Sequence, residues 1–445
     1  MFAFTRSPTR RRGTGAAFAL ALMAGSAVGM VALEAPAAAQ KKDKKDDKAG
    51  KPNYSKAFIA AYQAAEALSK AGDNAGAKAQ LPTVLAAIET DDDRNAGGGL
   101  VFNVGVGLSD TALQLQGLDL MLASGKTDPA KAGQFNYTGY QLASQLQQYE
   151  VARKYLAKAI ELGYTFTGRF SDGTERQSGP DEMHAMYAES YFDQNDYASG
   201  LAYMTRLINE RAASGGTIPQ IWITRPLGLA YNNDQSDAAI EFGKLYAKHF
   251  PSDTSWGDAI AIQRNLVDYD PQQTLDILRL AAQTNALRDT RAYVDYIEAA
   301  DARRLPGEVK RLIDAGVAAG KLTSGDVFVS EDSGIANSRI AADKADLPAL
   351  ERDAKAANAT GVTASAAGDA FLSYQDYPRA EALYAIAATK PGVDMDRVML
   401  RLGIAQVGQG KTAEALATLA KVGGVRKNIA DLWAIYAQQK AAPAS

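Results

Sequence analysis

The sequence contains no cysteine. That absence excludes disulfides, thiol nucleophiles, thiolate metal sites and a lipidated N-terminal cysteine, and it leaves the redox compartment open. Histidine is nearly absent, with only His184 and His249. No His-Glu-x-x-His, Gly-x-Ser-x-Gly or Ser-x-x-Lys pattern occurs, so the signatures of zinc peptidases, hydrolases and penicillin-binding enzymes are missing. An excess of positive charge is lacking too. Past residue 39 there are 44 Lys and Arg against 50 Asp and Glu, a net charge of about −6. No basic face points to nucleic acid.

What is present begins with an export pattern. Arg6, Arg10, Arg11 and Arg12 form a basic start, "GAAFALALMAGSAVGMVAL" (15–33) an apolar run, and Ala37-Ala38-Ala39 a small-residue cleavage site before Gln40. Residues 1–39 are therefore expected to be a cleaved signal peptide and the mature protein to be periplasmic. The next stretch, "QKKDKKDDKAGK" (40–51), has no apolar residue but one Ala. It cannot join a core, and 40–53 is expected to be a disordered charged leader.

The remainder repeats. In "GDAFLSYQDYPRAEALYAIAATKP" (368–391), Gly368 and Phe371 share one helical face, Gln375-Asp376 make a turn, and Ala380, Tyr384 and Ala387 share the face of a second helix. Ala415, 35 residues beyond Ala380, occupies the same place in "RLGIAQVGQGKTAEALATLAKV", with Leu402-Gly403 before it and Leu419 after it. Stepping back gives a weaker unit at Ala345, then Val309, Thr274 and Ala239, the last with Leu227, Gly228, Tyr231 and a closing Pro251. Earlier units centre on Gly200, Ala152, Ala112 and Ala77. A polar insertion, "GRFSDGTERQSGP" (168–180), accounts for the longest spacing.

Small residues, aromatics and a closing Pro at these offsets resemble the tetratricopeptide repeat, over roughly residues 54–425. The resemblance implies an all-α, right-handed α-solenoid of helix-turn-helix units of about 35 residues. Departures are visible: the family's Trp position is mostly lost, Pro82 falls inside a second helix, and Thr274 and Val309 replace the small residue. "LTSGDVFVSEDSGIA" (322–336) is rich in Gly, Ser and Asp, so the solenoid is expected to be irregular or broken there. The division is then an N-terminal array over 54–321, repeats over 337–425, and a capping helix with tail over 426–445. Trp433 and Tyr436 are expected to cover the last apolar stacking face.

By the same resemblance the chain is a binder of a protein or peptide in the cell envelope, peripheral association with an envelope complex included. It is not expected to be an enzyme or to carry a cofactor or metal. Transferring the family's groove offsets gives Tyr137, Gln141, Glu189, Phe192, Trp222, Arg225 and Asn232 as partner contacts. The competing class is an enzyme acting on cell-wall glycan, with a carboxylate pair from Glu182, Glu189 and Asp193.

Three motifs need weighing. "AQVGQGKT" (405–412) has the P-loop pattern, but Val398, Leu402 and Ala405 recur at helical spacing where a P-loop needs a strand. It falls in register with the repeat, so Gly408 and Gly410 are expected to form an inter-helix turn and no nucleotide is expected at Ala405–Thr412. "DDDRNAGG" (91–98) resembles the start of a calcium loop but has Phe102 at the position of the bidentate Glu; a solvated turn is expected. His184 sits at the lost Trp position and is expected to pack, while His249 suits a helix C-terminus as a cation.

Overall fold

The computed structural model describes residues 52–169 and 174–441. The expected signal peptide, the leader through Lys51, and part of the polar insertion (170–173) lie outside the described residues. Two compact units divide within one helix, between Trp222 and Ile223.

The first unit is built of helical hairpins: α1 (Lys56–Lys70) with α2 (Asn74–Ala86), α3 (Asp91–Gly107) with α4 (Thr111–Ala123), α5 (Pro129–Gln145) with α6 (Tyr149–Glu161), and α7 (Pro180–Phe192) with α8 (Tyr197–Ala213). Then α9 (Ile221–Asn232) spans the boundary. The second unit continues with α10 (Ser236–His249), α11 (Asp253–Leu266), α12 (Pro271–Gln283), α13 (Thr290–Ala300) and α14 (Pro306–Ala318). It ends with α15 (Val327–Lys355), α16 (Gly361–Ser373), α17 (Tyr377–Ala388), α18 (Met395–Gly408), α19 (Thr412–Leu419) and α20 (Lys427–Ala441). Sequential neighbours pack on one another from α1 to α8 and from α10 to α20. The fold is an all-α helical-repeat solenoid.

One device closes the hairpins. A single residue with positive φ stands between the paired helices at Gly72, Ser109, Gln147, Asn195, Asp234, Gln375 and Gly410. The next residue is the N-cap of the second helix, and as Asp73, Asp110, Asp196 and Asp376 its carboxylate accepts from the amide three residues on. The turn thus reverses the chain with one left-handed residue and caps the returning helix at once.

Small residues set the helix crossings, with shifts from the expected register. Ala77, Ala152, Ala239, Ala380 and Ala415 are buried as predicted. Ala112, however, is exposed at the start of α4. The α3–α4 approach is made by Gly98 and Gly117 instead: a Cβ on Gly117 would lie 2.4 Å from the Phe102 amide nitrogen. Ala345 is also exposed, because it lies midway along α15 and not in a second helix. Gly403 approaches the side chain of Leu419.

Two segments expected to be irregular are helical. Residues 327–336 open the 29-residue α15; Phe328, Val329, Ile335 and Ala336 pack on the core at helical spacing, and one Gly within a helix costs only about 1 kcal/mol. "DDDRNAGG" is the beginning of α3. Thr90 and Asp93 form a capping box, and the fully buried Asp93 carboxylate accepts from the Ser55, Glu89 and Thr90 amides. What looked like a solvated turn joins α1 to α3. The polar insertion supplies a two-stranded hairpin, β1 (Phe166–Arg169) against β2 (Glu175–Ser178).

The second unit has one continuous core from Ala247 to Ala437. Its C-terminal helix does more than cap the last repeat: α20 packs on α19 and also on α10 and α12. The Trp433 indole donates to the Asp276 carbonyl at 3.1 Å, and Lys244 pairs with Asp431 at 2.9 Å. At the centre lies a buried charge network. Arg401 reaches Asp276 at 2.8 Å and Asp369 at 2.7 Å, Arg279 grips Glu308 through two bonds of 2.8 and 2.7 Å, and Arg426 stands 3.4 Å from Asp276. Three buried cations face three buried carboxylates, with the half-buried Arg397 also on Asp369, and the cluster ties α12, α14, α16 and α18 together.

Candidate functional site

The sequence-derived contacts separate once placed. Trp222 is fully buried, and its indole donates to the Asp181 carbonyl at 2.8 Å. Tyr137 is buried with its ring stacked on Phe166, 4.4 Å between centroids, and Phe192 is buried against Tyr197 and over Gly200. All three side chains are packed within their unit: Tyr137 by β1, Phe192 by the close α7–α8 approach, and Trp222 by α7. Gln141, Glu189 and Arg225 are half-buried and Asn232 is exposed. The first two belong to the unit that ends at Trp222, the last two to the other.

Around α7 a different set comes together. Pro180 occupies the first turn of α7, and the Gly179 amide donates to the Glu182 carboxylate at 2.9 Å. Glu182 is therefore engaged at the helix start, while Glu189 is half-buried and Asp193 exposed further along. His184, Tyr187 and Tyr191 follow at i, i+3 and i+7 and share one face. All three remain half-buried.

From α8, Tyr203 meets them. Its ring stacks on Tyr187 at 4.5 Å, and its hydroxyl lies 2.6 Å from His184 Nδ1. The other edge of His184 meets Trp222 at 5.5 Å. The expectation that His184 packs holds, but against a polar aromatic ladder. Three guanidiniums border the ladder: Arg153 4.0 Å over Tyr191, Arg206 5.4 Å over Tyr203, and Arg211 4.7 Å over Trp222. Arg211 also pairs with Asp181 at 3.1 Å. Arg153 is buried and donates to the Ser190 carbonyl, whereas Arg206 is exposed and pairs with Glu210 in its own helix.

Electrostatics keep this strip uncharged at its centre. Burial lowers the His184 pKa, with Arg211 and Arg206 adding to the effect against Asp181. Burial likewise raises the hydroxyls of Tyr203 and Tyr187, reinforced by their tyrosine neighbours. At neutral pH the strip is a row of neutral rings with polar tips, edged by cations. Such a surface offers apolar area, hydrogen bonds and cation–π contacts together. Tyr187, Tyr203, Arg206 and Arg211 escaped the sequence reading, because family offsets direct attention to Glu189 and Phe192. The 184/187/191 spacing was the available signal.

The other motifs resolve into architecture. Residues 405–412 run from the end of α18 through Gly410 (φ 74°) into α19, and Lys411 pairs with Glu381 at 2.6 Å. A helix stands where a P-loop requires a strand. His249 does end α10, but burial followed by the adjacent Lys248 lowers its pKa; the expected cation is corrected to a neutral ring at pH 7. Among the described residues no three His, Asp or Glu side chains converge as a metal site.

No protein-family model matches the chain, and no curated protein matches it significantly. The chain is similar to solved structures, of which two follow. One is the structure of Naa15/Naa10 bound to HypK-THB, 12% identical over 86% of this chain and 60% of that chain, with a TM-score of 0.35. This chain therefore spans less than two thirds of that protein. The other is a circular tandem repeat protein with novel repeat topology and enhanced subunit contact surfaces, 10% identical over 86% of this chain and 95% of that chain, with a TM-score of 0.15. Neither is close enough to transfer the role of any residue.

Proposed function

We propose that the chain is an exported helical-repeat scaffold that binds a protein or peptide partner in the cell envelope through the α7–α8 strip. The observation that carries this reading is the half-exposed ladder of His184, Tyr187, Tyr191 and Tyr203 bordered by Arg206 and Arg211. Tyrosine, tryptophan and arginine are the side chains enriched where proteins meet, and they dominate hot spots. Glu189, on the same helix, would lie at the edge of the contact.

Export rests on the n-region, apolar run and Ala37–Ala39 site. A mature mass beginning at Gln40, recovered from the periplasmic fraction, is the expected result. The binding claim is tested by crosslinked affinity capture from that fraction with the wild type and with Tyr187→Ala and Arg206→Glu. A partner retained by the wild type and lost from both variants, with far-UV circular dichroism unchanged, supports the strip. Equal recovery with all three proteins removes it from the binding surface.

A further inference from the structure

A second site of different chemistry lies wholly within the 223–441 unit. A cleft of about 120 Å³ opens between α12, α14, α17, α18 and α20. Its floor is electrically closed. Both oxygens of Glu308 are taken by Arg279, and the Tyr296 hydroxyl donates to one of them at 2.8 Å. Its walls carry Trp433, Tyr377 and Tyr436, with the Gln283 amide 3.5 Å from the Tyr436 hydroxyl.

Two further cations face the same space. Arg311 is exposed, and its protein partner is the Gly307 carbonyl of its own helix at 3.1 Å. Lys440 is exposed, with the Val407 carbonyl 3.5 Å from its Nζ. No carboxylate pairs with either among the described residues, although other cations of this unit, such as Arg264, Lys310, Arg397 and Lys411, do have one. The cleft therefore carries two cations without an ion-pair partner over the Arg279–Glu308 pair, Arg311 acting on Glu308 only at longer range.

We propose that this cleft binds a small organic carboxylate. The Arg311 fork matches a carboxylate through paired N–H donors, and Lys440 supplies a second positive charge on the same cleft. The tyrosine hydroxyls and Gln283 offer further hydrogen bonds, and the aromatic walls exclude water from one side. A cleft of about 120 Å³ suits a small ligand and not a folded segment. Malonate has that size and two carboxylates. This site is independent of the α7–α8 strip.

Isothermal titration of the full-length mature protein at fixed ionic strength tests the assignment, with malonate, its uncharged analogue malonamide, and inorganic phosphate as probes. One malonate should bind per chain, malonamide should not bind, and Arg311→Gln and Lys440→Gln should each weaken malonate roughly tenfold, about 1.4 kcal/mol apiece. Both residues are exposed, so the variants should melt with the wild type; if one does not, the other still provides the comparison. Phosphate binding alongside malonate agrees with an oxyanion seat of this charge. Absence of malonate binding, equal binding of malonamide, binding of phosphate alone, or malonate affinity unchanged in both variants overturns the proposal.

Discussion

Arg401 is fully buried with two carboxylate partners on separate helices, Asp276 on α12 and Asp369 on α16. Removing one member of such a set leaves charges stranded away from water. Arg401→Met should cost about 3–5 kcal/mol of unfolding free energy, read from urea titration. Lys411 offers the contrast. Its pair with Glu381 is solvent-accessible, so Lys411→Ala should cost no more than about 1 kcal/mol. A large loss at Lys411 and a small one at Arg401 would invert this ordering. Lys411 was legible in the sequence, because helical spacing around Val398, Leu402 and Ala405 outweighs the P-loop pattern. The Arg401 partners were not legible: Asp276 lies 125 residues away, and no local pattern pairs charges over that distance. Asp93 is intermediate. Its box with Thr90 is a short-range signal, but the Ser55 amide it also accepts comes from another helix.

At the scale of the element, the hairpin turn is the unit the sequence repeats. Where its left-handed residue is Gly72 or Gly410 the conformation is unstrained; where it is Gln147 or Gln375 (φ 57° and 62°) the side chain opposes it. Gln147→Gly should therefore stabilise the chain, by up to about 1 kcal/mol, since relief of the left-handed strain outweighs the added freedom of the unfolded chain. An increase in the urea midpoint is the expected reading, and a decrease would mean that the Gln147 side chain contributes contacts of its own. Turn spacing and buried alanines made most of the repeat visible. Three elements were hidden for distinct reasons. The α3–α4 crossing depends on Gly98 and Gly117, whose small size is informative only beside the opposing backbone. Helix α15 was masked by composition, although its apolar residues kept the helical period. The placement of α20 against α10 and α12 depends on tertiary partners that a repeat reading does not supply. The α7–α8 strip was partly visible as His184, Tyr187 and Tyr191, but Tyr203 and the arginines join it only through packing.

For the whole molecule, acid should act in two stages. Burial lowers both histidines, aided at His184 by Arg211 and Arg206 and at His249 by Lys248. A lowered folded-state pKa gives stability that is complete above the unfolded value, here 6.5, and declines as pH falls toward the folded value. Burial alone would raise Asp369 and Glu308, but Arg401 and Arg397 at the first and Arg279 at the second overcome it and hold both below their ordinary 3.8 and 4.5. Their contribution is intact above those values and is lost below them. Urea midpoints should thus fall slightly between pH 7 and 5.5 and steeply below about 4.5. His184→Gln combined with His249→Gln should flatten the first stage and leave the second, whereas a single uniform decline in that variant would contradict the assignment. The proposed binding of a protein through α7 and α8 also belongs to this scale. It is tested most directly by placing a photo-crosslinking amino acid at Arg206, on the exposed edge of the strip, and at Arg352, an exposed position on α15, in cells that export the protein. One discrete protein adduct from position 206 and none from 352 is the result expected of the proposed strip. Adducts from 352 alone, or none at 206 while wild-type protein still captures its partner, would contradict it.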